Sequence, residues 1–293
     1  MLSAVVCTRD RAQLLEGCLR SLEADLPRGG QLIVVAHGGA DAAGEIEALD
    51  VGANVLCEAL GGKSRQLNVG LDASAHDIVV LTDDDCRVEP GWLEAMAAPF
   101  EDRKVGAVFG YVAGLSGVRG AEYDRVAPGP APPNTWLYAN GASMAVRRRA
   151  VIEIGGFDER LGPGAPAHGE EHDLVLRLED AGWLVRIADA PKVRHLEWRD
   201  EAETRHNLLV YSRGAGAFLG AALRRSPRRA ARMALRRARY QWALWGFATT
   251  EGWAFGPATT WAFLCGIVYG VRLSPRRFLC PQPPDPSWGT EEP

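Results

Sequence analysis

The sequence predicts an α/β fold in which helices flank a mostly parallel sheet and a helical extension follows. Short apolar runs rich in β-branched residues alternate with amphipathic helical segments over roughly the first two-thirds of the 293 residues. This alternation is typical of successive βαβ units. Beyond Glu197 the periodicity is helical only. The length suffices for one large α/β domain and an appendage.

The predicted strands are short and apolar. They lie at residues 3–7, 32–36, 53–57, 78–81, 105–112 and 143–146, with edge strands at 184–188 and 192–195. The helices between them carry apolar residues at spacings of three and four, as in the segment from Leu14 to Leu22. Such helices bury one face, so we expect them to cover the sheet.

Three regions follow from this pattern. We expect an α/β domain over residues 1–199, a helical extension over 200–280 and a disordered, proline-rich tail over 281–293. Helices are predicted in the extension at 208–223, 228–247 and 259–271.

Charge and cysteine content narrow the class of protein. The formal net charge of −4 is mild and does not indicate a nucleic-acid partner. The six cysteines show no CxxC spacing, which is typical of a reducing compartment. No segment near Met1 resembles a signal peptide. We therefore expect a cytoplasmic protein.

Three consecutive carboxylates, Asp83, Asp84 and Asp85, follow the strand predicted at 78–81. Residues two apart in an extended chain point to the same side, so Asp83 and Asp85 can converge on one ligand. Ligands of open α/β sheets bind beyond the carboxyl ends of the strands. Oxygen ligands there suit Mg²⁺ or Mn²⁺. The alternative is an acidic turn in solvent.

A basic residue is expected at the same edge. The segment Gly61-Gly62-Lys63-Ser64 opens a helix, where backbone amides and the lysine favour phosphate. It lacks the spacing of a Walker A loop. An ordinary glycine turn with a solvated lysine explains it equally well.

A second acidic group occupies the first turn of a later helix. Glu170, Glu171 and Asp173 lie there, and the helix dipole alone explains acids at this place. Adjacent carboxylates also raise one another's proton affinity, which can poise one as a general base. His195 ends a strand; a lone histidine is usually structural, but beside Asp85 it would complete a metal site.

Six segments in order resemble glycosyltransferase family 2, whose members have the GT-A fold. The segments are VVCTRDRAQLLEGCLRSL, GGKSRQLNVGL, VVLTDDDCRVEPGWL, NGASMAVRRRAVIEIGGFDERLG, GEEHDLVLRLEDAGW and the strand ending in His195. Each is weak alone, but their order and predicted structural context make the resemblance specific.

The resemblance implies which residues bind the sugar donor. Thr8, Arg9 and Asp10 match the loop that meets the nucleotide, and Lys63 matches a basic residue near the donor. Asn140 and Gly141 begin the segment that faces the donor sugar and the acceptor.

The resemblance also implies a metal and a base. Asp83 and Asp84 belong to the donor-side triplet, with Asp83 near the ribose or metal. Asp85 would ligate the metal, Mn²⁺ or Mg²⁺, and His195 matches an occasional third ligand. Glu171 occupies the place of the family's aspartate base, with Glu170 and Asp173 on either side as further catalytic candidates.

The implied reaction is inverting transfer of a sugar from a nucleotide-diphosphate donor to a hydroxyl of a glycan or lipid-linked acceptor. One departure stands out. Many members carry an aspartate after the second strand that reads uracil, whereas this chain has Ala36-His37-Gly38-Gly39. A uridine donor is therefore not implied.

Two other classes of protein fit some of these residues. One is a non-catalytic sugar-nucleotide-binding or scaffold protein with a decayed site, against which the retained acids count. The other is a haloacid-dehalogenase-like phosphatase. That family has Thr or Val two places after its second aspartate, whereas Val88 lies three places after Asp85.

The extension carries a basic segment without acids. No Asp or Glu occurs between Thr204 and Thr250, and arginine is dense from Arg224 to Arg239. With tryptophans nearby, this favours an anionic membrane surface, peripheral on the inner face of the plasma membrane. The alternatives are a helical cap or an oligomer contact. The tryptophans are Trp242, Trp245, Trp253 and Trp261.

Overall fold

The structure is a computed structural model that describes residues 1–47, 49–113, 129–130, 139–188, 193–196, 201–235 and 255–273. The predicted tail at 281–293 lies outside the described residues. So do Trp242, Trp245, Trp253 and the second half of the helix predicted at 228–247.

An eight-stranded sheet forms the centre of the α/β region. Its strands are β1 (Ser3–Thr8), β2 (Gln31–His37), β3 (Asn54–Glu58), β4 (Ile78–Asp83), β6 (Val105–Phe109), β8 (Gly129–Pro130), β9 (Met144–Arg147) and β10 (Leu184–Ile187). Their order is β3-β2-β1-β4-β9-β6-β10-β8. β9 runs antiparallel to β4 and β6, and β8 runs antiparallel to β10. The remaining neighbours are parallel, which confirms the predicted fold class.

A second, three-stranded sheet corrects two predictions. It consists of β5 (Cys86–Val88), β11 (Val193–His195) and β7 (Val112–Ala113), in the order β5-β11-β7. The single strand predicted at 105–112 is therefore wrong, because the chain leaves β6 at Gly110 and enters the small sheet as β7. β11 lies in the middle of that sheet rather than at an edge. β10 also has a neighbour on each side, β6 and β8.

Helices cover both faces of the large sheet. They are α1 (Ala12–Asp25), α2 (Ala40–Glu47), α3 (Lys63–Ala73), α4 (Trp92–Ala97), α5 (Arg148–Glu153) and α6 (Glu170–Asp180). One buried core contains Leu15 and Leu19 of α1 with Trp92 of α4. The other contains Leu67 of α3 and Leu174 of α6. The amphipathic spacing read from the sequence thus places each helix against the sheet.

The described part of the extension is helical, as predicted. It comprises α7 (Glu201–Arg225), α8 (residues 227–235) and α9 (Phe255–Arg272). α7 and α9 approach backbone to backbone, since a Cβ at Gly220 would lie 2.8 Å from the amide nitrogen of Val271. The pair rests on the segment before α6, where a Cβ at Gly214 would lie 2.8 Å from the carbonyl oxygen of His168. Of the helices that the structure describes, none has the length and apolarity that crossing a bilayer requires.

Candidate active site

The aspartate triplet lies where β4 ends, at the carboxyl edge of the parallel strands. The end of the neighbouring strand β1 and the loop after it supply its first partners. The Thr8 hydroxyl donates to Oδ2 of Asp84 at 2.7 Å. Arg11 lies 3.1 Å from Oδ1 of Asp84 and 3.3 Å from Oδ2 of Asp85. One guanidinium therefore joins two buried carboxylates.

The three acids of the triplet differ in their surroundings. Asp83 forms an ion pair with Lys63 at the start of α3. Asp84 is directed into the protein, as its 1% exposure shows. Burial raises the pKa of Asp84 to about 6, although Arg11 and Thr8 oppose that rise. The alternation predicted for an extended chain is not observed, because residues 84 and 85 form a turn in which Asp84 and Asp85 share Arg11, whereas Asp83 faces Lys63.

Lys63 lies between the two acidic groups of the sequence. Burial alone would lower its pKa, but the charges of Asp83, Glu170 and Glu171 raise the pKa above its ordinary value. Gly62, with φ of 98°, turns the chain into α3. The conformation is one that a non-glycine residue rarely adopts. This turn delivers the ammonium group to the edge of the sheet.

Glu170 and Glu171 begin α6 and share a buried environment. Gly169 precedes them with φ of 105° and donates its amide to Oε2 of Glu170 at 3.1 Å. Burial and the charge of Glu171 raise the pKa of Glu170 well above its ordinary value. Burial would also raise the pKa of Glu171, but His172 together with hydrogen bonds from the backbone and from Glu170 lowers that pKa. Glu170 is therefore the member of the pair with the higher proton affinity, and Glu171 is the member that ionises more readily.

Of the two glutamates, Glu171 is the better candidate for accepting a proton. Its Oε1 lies 3.4 Å from Nδ1 of His172. Its Oε2 is buried and has no hydrogen-bond partner within the described residues. An ionised oxygen without a donor is available to accept a proton.

Asp173, the third acid of this group, is fully engaged by arginines. It lies 2.6 Å from Nε of Arg177 and 3.0 Å from Nη1 of Arg225. Arg225 belongs to α7, so this acid joins α6 to the extension. These contacts favour a structural role for Asp173 over the predicted catalytic one.

His195 approaches Asp85 because β11 pairs with β5 in the small sheet. The register sets His195 opposite Cys86, and the amide of Leu196 donates to the Asp85 carbonyl at 2.8 Å. The imidazole Nε2 lies 3.4 Å from Oδ1 of Asp85. The structure thus brings together two of the three predicted metal ligands.

The third predicted ligand, Asp83, is turned towards Lys63 instead. Among the residues that the structure describes, no three His, Cys, Asp or Glu side chains are arranged to hold a metal ion. A carboxylate with an imidazole is nevertheless a donor set that suits Mn²⁺. Nδ1 of His195 is buried and has no hydrogen-bond partner in the described chain. Asp85 and His195 therefore fit a divalent cation as two of its ligands.

A small open cleft lies beside the triplet, between the ends of β1 and β2. Thr8, Asp10, Arg11 and His37 are among its lining residues. Arg9 and Asp10 are largely exposed and lie 3.6 Å apart. They stand at the rim of the site and away from the buried acids.

Asn140 and Gly141 lie next to Lys63. A Cβ at Gly141 would be 3.1 Å from Nζ of that lysine. The Asn140 side chain accepts a hydrogen bond from the amide of Ala142 at 2.9 Å. Thr82 in β4 donates to the carbonyl of Ala142 at 2.7 Å, which ties this segment to the end of the strand.

Three residues at the site were not selected from the sequence. Arg11 joins Asp84 to Asp85, His37 lines the cleft, and His172 contacts Glu171. Position offered a signal for Arg11 and His37, because both follow strands whose carboxyl ends reach the same edge. His172 directly follows the predicted base, but sequence does not show which way its ring points.

Similar solved structures define the fold. A mannosyltransferase from Pyrobaculum calidifontis, solved with GDP-Man and Mn²⁺, matches with a TM-score of 0.63 and 18% identity over 92% of this chain and 87% of that chain. GalNAc-T7, solved with UDP, GalNAc and Mn²⁺, matches with a TM-score of 0.53 and 15% identity over 73% and 47%. The fold is that of the GT-A glycosyltransferases.

Sequence comparison gives the family. The description "Glycosyl transferase family 2" matches residues 3–153, and the chain belongs to that family. A pre-mycofactocin glycosyltransferase of Mycobacterium tuberculosis is 32% identical over 213 residues, or 66% of this chain and 42% of the relative. The O-antigen biosynthesis protein RfbC of Myxococcus xanthus is 27% identical over 43% of this chain and 11% of its own length. The chain thus spans less than half the length of these curated relatives.

Proposed function

We propose that this chain is an inverting, metal-dependent glycosyltransferase that moves a sugar from a nucleotide-diphosphate donor to an acceptor hydroxyl. The observation that carries the proposal is the position of Lys63. It is paired with Asp83 and feels the charges of Glu170 and Glu171, so donor-side acids and a candidate base share one edge of the sheet. Family membership supplies the class of reaction.

The donor would bind along the β1 and β4 ends. Thr8, Asp10 and Arg11 line the cleft that would receive the nucleoside, with Arg9 at its rim. Lys63 and Arg11 offer positive charge to a diphosphate. Asn140 and Gly141, beside Lys63, would face the sugar.

A divalent ion would be held by Asp85 and His195, with Asp83 as a third ligand once released from Lys63. When bound, such an ion neutralises charge that develops on a departing diphosphate. The Mn²⁺ in the two structural neighbours supports this proposal.

Glu171 would act as the general base. Its carboxylate carries the charge of the Glu170–Glu171 pair, and one of its oxygens has no donor within the described residues. It would accept the proton of an acceptor hydroxyl while that oxygen attacks the anomeric carbon. Attack on the face opposite the leaving group inverts that carbon. Glu170, which has the higher pKa of the two, would hold a proton and leave its neighbour ionised.

The acceptor would be a glycan or a lipid-linked molecule of the cell envelope, reached from the inner face of the plasma membrane. The O-antigen biosynthesis protein among the relatives supports an envelope acceptor. The arginine-rich α7 and α8 support a position near anionic lipid.

Two matched substitutions test the base. Glu171→Gln should lower turnover by about 10²–10⁴-fold, the usual contribution of a general base. Glu170→Gln imitates a carboxyl group that is already protonated, so it should stay within about tenfold of wild type. Sugar release from UDP- and GDP-sugars with Mn²⁺ measures turnover, and thermal shift with UDP or GDP measures binding.

Other outcomes separate the alternatives. Full turnover by Glu171→Gln would remove Glu171 from the base role. A wild-type protein that binds nucleotide with Mn²⁺ but releases no sugar from any donor would favour the non-catalytic sugar-nucleotide-binding protein.

A further inference from the structure

The outward face of α9 carries exposed apolar side chains that the proposed reaction does not use. Trp261 is 70% exposed, Leu264 48%, Val268 50% and Val271 41%. Spacings of three and four residues place them on one face of the helix. We call these four residues the α9 stripe. No charged residue occurs from Phe255 to Val271, whereas the solvent face of an ordinary surface helix is polar.

The opposite face of α9 is fixed against the protein. A Cβ at Gly266 would lie 2.9 Å from the amide nitrogen of Ala217 on α7. The Tyr269 hydroxyl donates to the carbonyl of Arg160 at 3.0 Å. Backbone contact of this kind leaves no room for α9 to rotate, so the stripe stays on the outside.

Arginines surround the C-terminal end of the stripe. Arg224 donates to the carbonyls of Val271 and Leu273, both at 3.0 Å. Arg228, Arg232 and Arg272 are exposed, and the structure shows no ion pair for them among its described residues. Arg272 directly follows the stripe in sequence, and Arg228 and Arg232 belong to α8.

The basic helix α8 is held next to α9. Its Ala230 and Met233 belong to a small buried core against which Phe263 and Ile267 of α9 pack. Arg228 and Arg232 therefore belong to the same compact group of helices as the stripe.

We propose that the α9 stripe docks on the surface of an anionic lipid bilayer. Trp261 and the aliphatic side chains would enter the boundary between headgroups and acyl chains, and the arginines would contact acidic headgroups. A stripe one side chain deep gives shallow insertion, which agrees with a helix too short or too polar to cross. A second copy of the chain is a poorer occupant, since its own α8 and α9 bring no acid to these arginines.

Docking at this surface would bring the enzyme to the proposed lipid-linked acceptor. The purpose of docking therefore rests on the proposed function. It would hold the catalytic domain at the surface where such an acceptor lies. The docking itself can be measured without any sugar transfer, so the two proposals can fail separately.

Vesicle flotation of the full chain tests the surface. We expect the protein to float with phosphatidylcholine vesicles containing phosphatidylglycerol and to remain at the bottom with phosphatidylcholine alone. Trp261→Ser with Val268→Ser should weaken partitioning by at least about tenfold through lost apolar burial. Arg228→Gln with Arg232→Gln should weaken it by about 30-fold, at about 1 kcal/mol per basic residue.

A charge-matched control distinguishes binding through this surface from a general effect of the protein's net charge. Arg103→Gln with Lys104→Gln removes the same two charges from an exposed turn of the α/β region and should leave flotation unchanged. Glu171→Gln should float like wild type even if transfer is abolished.

Wild-type protein that stays at the bottom with anionic vesicles would overturn the proposal. So would a dimer in sedimentation equilibrium that Trp261→Ser with Val268→Ser dissociates, because the stripe would then be a self-association surface.

Discussion

The two acidic clusters at the edge of the sheet differ in how their charges are balanced. Asp84 and Asp85 share Arg11, and Asp83 is paired with Lys63. Glu170 and Glu171 instead lie beside each other in a buried place, where the pKa of Glu170 is raised and that of Glu171 is lowered. Cations that hold carboxylates fix a geometry for binding, whereas crowded carboxylates raise proton affinity. The difference suits the first cluster to a ligand and the second to proton transfer.

The same contrast recurs within α6. Asp173 lies one turn beyond Glu170 but is held by Arg177 and Arg225. A single helix therefore carries both an anchoring acid and a candidate base. Substitution of each acid tests whether its partners explain its role.

The largest effect on stability is expected from Asp173→Ala. Removing one partner of a buried ion pair leaves the other uncompensated, which costs about 3–5 kcal/mol of unfolding free energy. Urea denaturation measures it. Asp180→Ala is the matched control, because Asp180 pairs with Arg229 at an exposed position and such pairs contribute about 0–1 kcal/mol. Equal losses in the two variants would show that Asp173 does not anchor α7.

Asp85→Asn tests whether the aspartate cluster binds the metal ion. Nucleotide with Mn²⁺ at about 100 times its Kd should stabilise the wild type by about 2.7 kcal/mol. The variant should lose the part of this stabilisation that depends on metal, because it removes a ligand charge. Thermal shift with and without EDTA measures it, and the exposed Asp72→Asn serves as control. An unchanged metal-dependent shift in Asp85→Asn would assign the ion to other residues.

Much of the fold could be predicted because its signals are local. The apolar runs and helical spacings located β1 to β4 and α1 within a few residues. The split of residues 105–112 into β6 and β7 could not be predicted, because both pieces are apolar and only their partners differ. The central place of β11 likewise depends on pairing with β5, more than a hundred residues earlier in the chain.

The site shows the same division between local and distant signals. The edge that holds Asp83, Asp84 and Asp85 follows from the rule for parallel strands. The approach of His195 to Asp85 was expected from the family resemblance, and the small sheet explains it. The partner of Asp173 could not be expected, since Arg225 is 52 residues away on a helix whose docking no local pattern encodes.

Thr8→Val tests how much a hydrogen bond from an uncharged donor stabilises the aspartate cluster. The hydroxyl is buried and donates to Asp84 at 2.7 Å. A hydrogen bond to a charged group contributes about 1.5–3 kcal/mol, so we expect a loss of about 2 kcal/mol in unfolding free energy. Thr8→Ser keeps the donor and should lose less. If Thr8→Ser cost more than Thr8→Val, the methyl group rather than the hydrogen bond would be what matters.

The smallest effect concerns His168, which precedes the glutamate pair. Burial lowers its pKa to about 4 from an ordinary value of 6.5. The ring therefore stays neutral at physiological pH and cannot balance Glu171 as Arg11 balances the aspartates. Its ring contacts Tyr211 of α7 edge to face, with centroids 5.3 Å apart.

A group with a depressed pKa takes up protons more readily when the protein is unfolded. For a histidine, stability is then complete above pH 6.5 and is lost as the pH falls towards 4. After allowance for its partial exposure, wild type should lose about 1–2 kcal/mol relative to His168→Gln across this window. Urea denaturation between pH 4 and 7 measures the difference, with His206→Gln on the exposed face of α7 as control. Parallel curves for wild type and His168→Gln would mean that the ring is solvated. Water would then reach the space beside the glutamate pair, although Tyr211 and Gly214 pack against the segment there.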